Sequence, residues 1–555
     1  ETSEFAPAFD PEGRYLYFLS NRDFNLGFSA YEFNYLYQNA TRIYAAPLAA
    51  DGPVLYAPKS DEVAPRSAAE AKPGNGNGGG KAEPKRLRID VPGFNQRVLA
   101  LKAPAGNYQG LSANAKGVFF VAGNGQGPAE LRYLGLDDEQ PKTVAGQISG
   151  YTLAAGGGHL LLRRGERFAI VEAKPEVDFE AGALKLDGLQ LRVDPKREWA
   201  QQYVDAWRIL RDWFYDPGMH GQDWVAIRER YAALLPHVAS RADLDYLLTE
   251  LAGETNAGHV YVERGDEPQV PRRAGGLLGA DIRAHESGYF QVGRIFAGEN
   301  WNPALRSPLT EAHANVREGE FILAIDNVST REVANVYQLL EGKGDRTVSL
   351  RVNSRPEEAG ARSVRVQTLT SEQGLRYKDW VDARRRLAAE LSGGRVGYIH
   401  LPNTAVDGNR ELHRGMLAYA HMDALIIDDR YNGGGFIPDR MIELLSRQPL
   451  NFWKRRGLEP NPTPLLHHAG PKVMLTNGLS SSGGDALPYY FRKMGLGPVI
   501  GTRTWGGLIG ISGNPRLADG GAILAATFRF MDTEGRWAVE DEGVAPDIEV
   551  IDRPE

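Results

Sequence analysis

At 555 residues, with 42% hydrophobic and 24% charged side chains, the chain is ordinary globular material, too long for one core, and roughly three or four domains are expected. The formal net charge of −7, with no Lys/Arg block, disfavours a nucleic-acid or acidic-membrane partner, and apolar runs such as "ALIID" fall far short of the ~18 to 20 residues that span a bilayer. The lack of cysteine excludes disulfides, a thiol nucleophile and Cys-based zinc sites, and suits either redox environment.

Glu1 is no initiator Met and no basic-then-apolar leader follows it, which fits a fragment or a mature form. Residues 1–177 read as all-β. "FDPEGRYLYFLSNR" puts a turn at Asp10–Gly13 before an alternating strand at Tyr15–Leu19, and "LSANAKGVFFVAGN", "YTLAAGGGHLLLRR" and "ERFAIVEAK" repeat the theme. Such recurrence suggests propeller blades, with a generic β-sandwich as the alternative. The first of these stretches resembles the strand-turn-strand signature of TolB-like and tricorn propellers. Residues 58–85, rich in Pro, Gly, Ala and charge without periodicity, are expected as a mobile insertion, and so few strands imply an incomplete propeller.

Over 195–264 the period becomes helical. Trp199, Tyr203, Ala206, Trp207, Leu210 and Phe214 share one face, Asp216-Pro217-Gly218 ends the run, and two further amphipathic helices follow, the second capped by Ser240. This predicts a small helical subdomain that leads into "TNAGHVYVERGD". Residues 268–370 carry "GLLG", "REGEFILAIDN" and "VANVYQLLEG" in an order that resembles a PDZ domain of the peptidase-associated form, with a small β-rich domain without ligand as the alternative. The resemblance implies a carboxylate-binding loop, a following strand and turn, and a groove helix, the arrangement in which a peptide adds to a sheet edge. Residues 371–555 alternate strand and helix, which predicts an α/β core with functional loops at strand C-termini.

Two loops of that core invite chemistry. "LSSSGGDALPYYF" leads from a strand into a helix, where free N–H groups and the positive dipole end suit a serine nucleophile. It reads equally as a capped turn, with Asp485 as N-cap and Pro488 in the first turn. "IDDRYNGGGF" ends a buried strand in glycines, fit for an oxyanion hole or simply a tight turn. Of eleven histidines, His220 and His237 fall in helix-ending turns and His467–His468 in a polar loop. His259 follows Ala257-Gly258 at a domain junction, as a base or as a histidine satisfied by its surroundings.

The stretches "REWAQQYVDAWRILRDWFYDPGMHGQDW", "GHVYV", the PDZ-like segment, "DDRYNGGG", "SSSGGD", "GTRTWGGLIG" and "EDEGVAPDIEV" stand in the order seen in the tricorn protease family, within the clan of C-terminal processing peptidases. The resemblance implies a helical and an α/β subdomain that build one catalytic core around a PDZ domain, beside gating β-propellers. It implies a serine endopeptidase acting on peptides or unfolded protein without metal or organic cofactor. It places the nucleophile at Ser482, the general base at His259, the orienting acid at Glu540, and the oxyanion hole at Gly435 and Gly483. It also implies a homo-oligomer, a hexamer in tricorn itself, and a soluble, cytoplasmic address, with a periplasmic one left open.

Three positions depart from the family. Gly258 stands where a second serine precedes the histidine, which reduces a four-residue relay to three. Gly483 replaces an Asp, and Trp453 falls where an acid selects basic side chains, so an apolar P1 preference is expected. The related Ser-Lys peptidases need a lysine downstream of the serine, and no lysine follows Lys493. Two other readings stay open: a peptide-binding propeller and PDZ scaffold whose catalysis has decayed, and an esterase or amidase using the same serine.

Overall fold

The computed structural model describes residues 3–29, 34–56, 87–123, 127–267, 270–551 and 553, so the insertion expected at 58–85 lies outside the described residues. The chain forms two compact units, Glu1–Leu191 and Arg192–Glu555.

The first unit is all-β. Strands Glu4–Phe9, Tyr15–Ser20, Arg42–Pro47 and Leu99–Ala100 make one antiparallel sheet, and Lys142–Ile148, Ala129–Gly135, Gly117–Ala122 and Tyr108–Asn114 make a second. Gly150–Leu153, His159–Arg164 and Arg167–Glu172 form a third, and Leu26–Ser29 with Asn34–Tyr37 a ribbon. Successive residues of a strand face opposite ways. Phe120 therefore packs with Tyr17, Leu19 and Ile43 of the first sheet, while Phe119 packs with Leu160 and Leu162 of the third. The middle sheet is covered on both faces. The turn expected at Asp10–Gly13 forms, with Gly13 at φ 71° and the buried Asp10 carboxylate held by Arg14.

In the second unit, helices α1 (Pro195–Trp213), α2 (Trp224–Ala232) and α3 (Arg241–Gly253) lie where the periodicity predicts. Ser240 caps α3 in a reciprocal box with Asp243. Tyr203, Trp207, Leu210 and Phe214 meet Leu244, Leu248 and Leu251, but Ile509, Ile523, Ala525 and Ala526 complete this core. Strand Tyr261–Glu263 pairs with Ala522–Leu524, and buried Arg241 binds Asp519 at 2.5 Å. The segment around 509–526, grouped by sequence with the α/β core, thus packs on the helices.

The PDZ segment is an antiparallel sheet ordered Ala280–Ala284, Phe290–Ile295, Phe321–Ile325, Thr347–Asn353, Arg362–Gln367 around Val292, Ile322, Leu350 and Val352. The expected groove helix is only a 3-10 turn, Val336–Leu340. Asn335 caps its start and Gly342, at φ 68°, reverses the chain just beyond it.

Helix α4 (Gln373–Ser392) then leads to a five-stranded parallel sheet ordered Val396–His400, Ala424–Asp428, Lys472–Thr476, Val499–Gly501, Ile548–Glu549. Helices α5 (Val406–Ala418), α6 (Pro438–Leu445) and α7 (Gly483–Lys493) pack on it through Leu412, Met441, Leu445, Leu487 and Phe491. Because all strands run one way, the loops after Asp428, Thr476 and Gly501 emerge at one edge. Among the described residues no helix is long and apolar enough to cross a membrane.

Candidate active site

The three serines before α7 are not equivalent. Ser480 is fully buried and its hydroxyl donates to the Asp429 carbonyl at 2.8 Å, while the Ser481 hydroxyl donates to the Asn432 carbonyl at 3.3 Å. Ser482 is the N-cap of α7, with φ 57° and ψ −114°, a conformation that costs a non-glycine residue of order 1–3 kcal/mol and persists only where surroundings impose it. The sequence predicts Asp485 at the cap and Pro488 in the first turn. Instead Asp485 is the third helical residue and Pro488 lies in the second turn, because the chain enters the helix three residues earlier.

Asp485 does more than cap. Its buried carboxylate accepts the Ser482 N–H at 2.7 Å, the Thr504 hydroxyl at 2.5 Å and the Gly506 N–H at 2.8 Å. Burial raises its pKa above the ordinary carboxylate value, while these donors pull the other way. It therefore ties the head of α7 to the loop Thr504–Leu508.

The loop after Asp428 reaches the same helix head. Asn432 organises it: its side-chain amide donates to Asp429 at 2.9 Å, its Oδ1 accepts the Gly434 N–H at 2.9 Å, and its carbonyl accepts the Ser481 N–H at 2.9 Å. Glycine is required here. A Cβ on Gly434, at φ 84°, would lie 2.7 Å from the Ser482 Cβ, and one on Gly483 would lie 2.0 Å from the Thr404 hydroxyl and 2.8 Å from the Gly435 nitrogen. The backbones of Gly435 and Gly483 thus touch beside Ser482, with the Gly483 nitrogen in the first, unpaired turn of a helix.

His259 sits in the bend two residues before strand Tyr261–Glu263, which pairs with Ala522–Leu524, at φ 50°, its ring centroid 5.5 Å from that of Trp505. Burial lowers its pKa below the usual imidazole value, and its Nδ1 is buried without a partner. Glu540, 2% exposed, accepts the Gly258 N–H at 2.8 Å through one oxygen and the Leu508 N–H at 2.6 Å through the other. Burial raises its pKa. The carboxylate thus grips the peptide next to the imidazole rather than the ring, and among the described residues no hydrogen bond joins the ring to Glu540 or to Ser482. A Cβ on Gly258 would stand 3.2 Å from the Glu540 carboxylate and 3.3 Å from Gly507, a tight fit.

One connected path therefore runs from Ser482 through Asp485 and Thr504–Leu508 to Glu540 and on to Gly258-His259. Sequence reasoning about single motifs missed Asp485, Asn432 and Thr504 as members of this site, although "GTRTWGGLIG" marked the loop. Trp453 lies exposed on a ribbon of Asn451–Trp453 and Asn461–Thr463, its indole N–H bonded to Thr463. His220 bonds the Tyr215 hydroxyl. His468, expected in a polar loop, is buried and bonds the Met422 carbonyl, because that loop packs against the turn at Met422 and Asp423.

Comparison with known proteins supplies family. The Tricorn protease C1 domain matches residues 195–253, the Tricorn protease PDZ domain residues 276–371, and Peptidase family S41 residues 395–550. Tricorn protease homolog 1 of Streptomyces coelicolor is 31% identical over 573 aligned positions, covering 100% of this chain and 53% of that protein. Tricorn protease of Thermoplasma volcanium is 28% identical, covering 100% of this chain and 52% of that one. The crystal structure of the tricorn protease superposes with a TM-score of 0.84 at 24% identity, over 99% of this chain and 53% of that chain. The chain spans about half the length of these relatives.

Proposed function

Since the chain is a tricorn protease homologue built of C1, PDZ and S41 peptidase domains, we propose that it is a serine endopeptidase that cleaves peptides or unfolded protein at Ser482. The observation that carries the reading is the imposed backbone of Ser482 at the head of α7, with the nitrogens of Gly435 and Gly483 beside it. In the proposed reaction the Ser482 oxygen attacks the scissile carbonyl carbon and its proton passes to the unprotonated His259 ring. The N–H groups of Gly435 and Gly483 receive the oxyanion. Collapse breaks the C–N bond, the amine leaves with the proton from His259, and water hydrolyses the acyl-enzyme by the reverse sequence. Glu540 fixes the Gly258-His259 peptide so that the ring faces the serine.

A fluorophosphonate probe tests this: one adduct, on Ser482, is expected. No adduct and no peptide turnover would favour the second reading, a peptide-binding scaffold, with which the absence, among the described residues, of a hydrogen bond from the imidazole to Glu540 or Ser482 agrees.

Three expectations follow from the geometry. Gly435→Ala should lower kcat by about 10²–10³ with KM little changed, the cost of moving one oxyanion donor out of reach, since its Cβ would meet the Thr404 carbonyl carbon at 2.6 Å and push the backbone away; steady-state kinetics decide it. Because burial lowers the pKa of His259, the base stays unprotonated further into acid, so activity should rise with pH through a limb centred below the ordinary imidazole value of about 6.5. A kcat/KM profile with its limb above the ordinary value contradicts this. Finally, with exposed Trp453 in place of an acid, a peptide library should be cut after apolar residues, and dominant cleavage after Lys or Arg would refute that preference.

We read the three successive sheets of the first unit as propeller blades, and carry the homo-oligomer as part of the proposal, to be read by analytical ultracentrifugation.

A further inference from the structure

In PDZ domains the loop before the edge strand holds a peptide's terminal carboxylate on backbone N–H groups, and an adjacent apolar pocket takes its last side chain. Here that loop is Gly276–Gly279, before edge strand Ala280–Ala284. Three of its N–H groups are already engaged. Gly276 donates to the Leu340 carbonyl at 2.8 Å, Leu277 to the Leu369 carbonyl at 2.8 Å, and Gly279 to the carboxylate of Glu372 at 2.8 Å. Glu372 is 6% exposed, and its second oxygen is held by the Arg376 guanidinium at 2.8 and 3.1 Å. The same guanidinium reaches Asp281 of the edge strand at 3.0 Å. Leu375, 2% exposed, brings a methyl to 3.1 Å from the place a Cβ on Gly279 would occupy. Glu372 is the N-cap residue of α4, yet its side chain leaves its own helix uncapped to serve this loop.

We propose that the carboxylate-binding loop of the PDZ domain is filled by an internal ligand, Glu372 with Leu375, which stands where the last residue of a peptide would stand. Carboxylate and apolar side chain are the two features such a loop reads, and the start of α4 supplies both. The tether is short, because the PDZ match ends at residue 371, one position before Glu372. A ligand so close has an effective concentration of at least about millimolar, so a free peptide end at lower concentration loses the competition. Since α4 also packs on strand Val396–His400, the filled loop joins the PDZ domain to the α/β core instead of gathering substrate ends. The inference does not depend on the chemistry at Ser482.

Fluorescence anisotropy with a labelled unstructured peptide ending in leucine, as free acid and as C-terminal amide, tests it on the full chain. The unaltered protein should not distinguish acid from amide. Glu372→Ala should bind the acid at least about tenfold more tightly than the amide. Glu372→Gln, which keeps an acceptor for the Gly279 N–H but loses the pull of Arg376, should fall between, and carries the test if the alanine variant does not fold. An unaltered protein that prefers the acid as strongly as the variants overturns the proposal. So does a folded variant that shows no preference.

Discussion

Ser482→Ala should lower kcat/KM by about four to six orders of magnitude and leave the fold intact. The size of the effect follows from the proposed role: without the oxygen no acyl-enzyme would form, and only substrate binding and the proposed oxyanion donors would remain. The fold should survive because the backbone around residue 482 is set by Asp485, Asn432 and the glycines, none of which needs the Ser482 hydroxyl. Its neighbours provide the internal control. Ser480→Ala removes a buried hydrogen bond to Asp429 and should cost about 1 kcal/mol of stability, read as a lower Tm, with the nucleophile still in place. If Ser480→Ala or Ser481→Ala silenced the protein while Ser482→Ala did not, the assignment within this loop would be wrong.

Glu540→Ala is the second large effect. Two partly buried N–H groups, of Gly258 and Leu508, lose their shared acceptor, at up to about 1 kcal/mol each, and the His259 peptide loses the contact that fixes its position. On the proposed role of His259 as base, its displacement should lower kcat by about 10²-fold, with KM changed far less. Glu540→Gln should fall between, because its amide keeps one acceptor but presents N–H to N–H at the other. Equal kcat in all three proteins would show that this carboxylate serves stability alone.

How much was legible in the sequence depended on range. The turn at Asp10–Gly13, the Ser240 cap, the helical spacing from Trp199 to Phe214 and the emergence of glycine loops at strand ends are local patterns, and they form as read. What failed locally did so at element ends: the start of α7 came three residues early because Ser482 adopts φ 57°, and the PDZ groove helix shrank to a 3-10 turn before Gly342. What no local pattern carries is pairing at a distance. Asp485 on Thr504 and Gly506, Glu540 on Gly258, Ile523 against the C1 helices and Glu372 in the Gly279 loop join segments up to hundreds of residues apart. Family order, not periodicity, singled out Ser482, His259 and Glu540 from the many serines, histidines and acids of the chain.

Whether the imidazole of residue 259 and the hydroxyl of residue 482 act on one substrate carbonyl is read by a peptide chloromethyl ketone. Its ketone engages the serine, which delivers the chloromethyl carbon to the histidine ring nitrogen with loss of chloride. Mass spectrometry should find one alkylated residue, His259, formed fast in the unaltered protein and slowly in Ser482→Ala. Alkylation elsewhere, or at His259 with a rate indifferent to Ser482, would contradict the account.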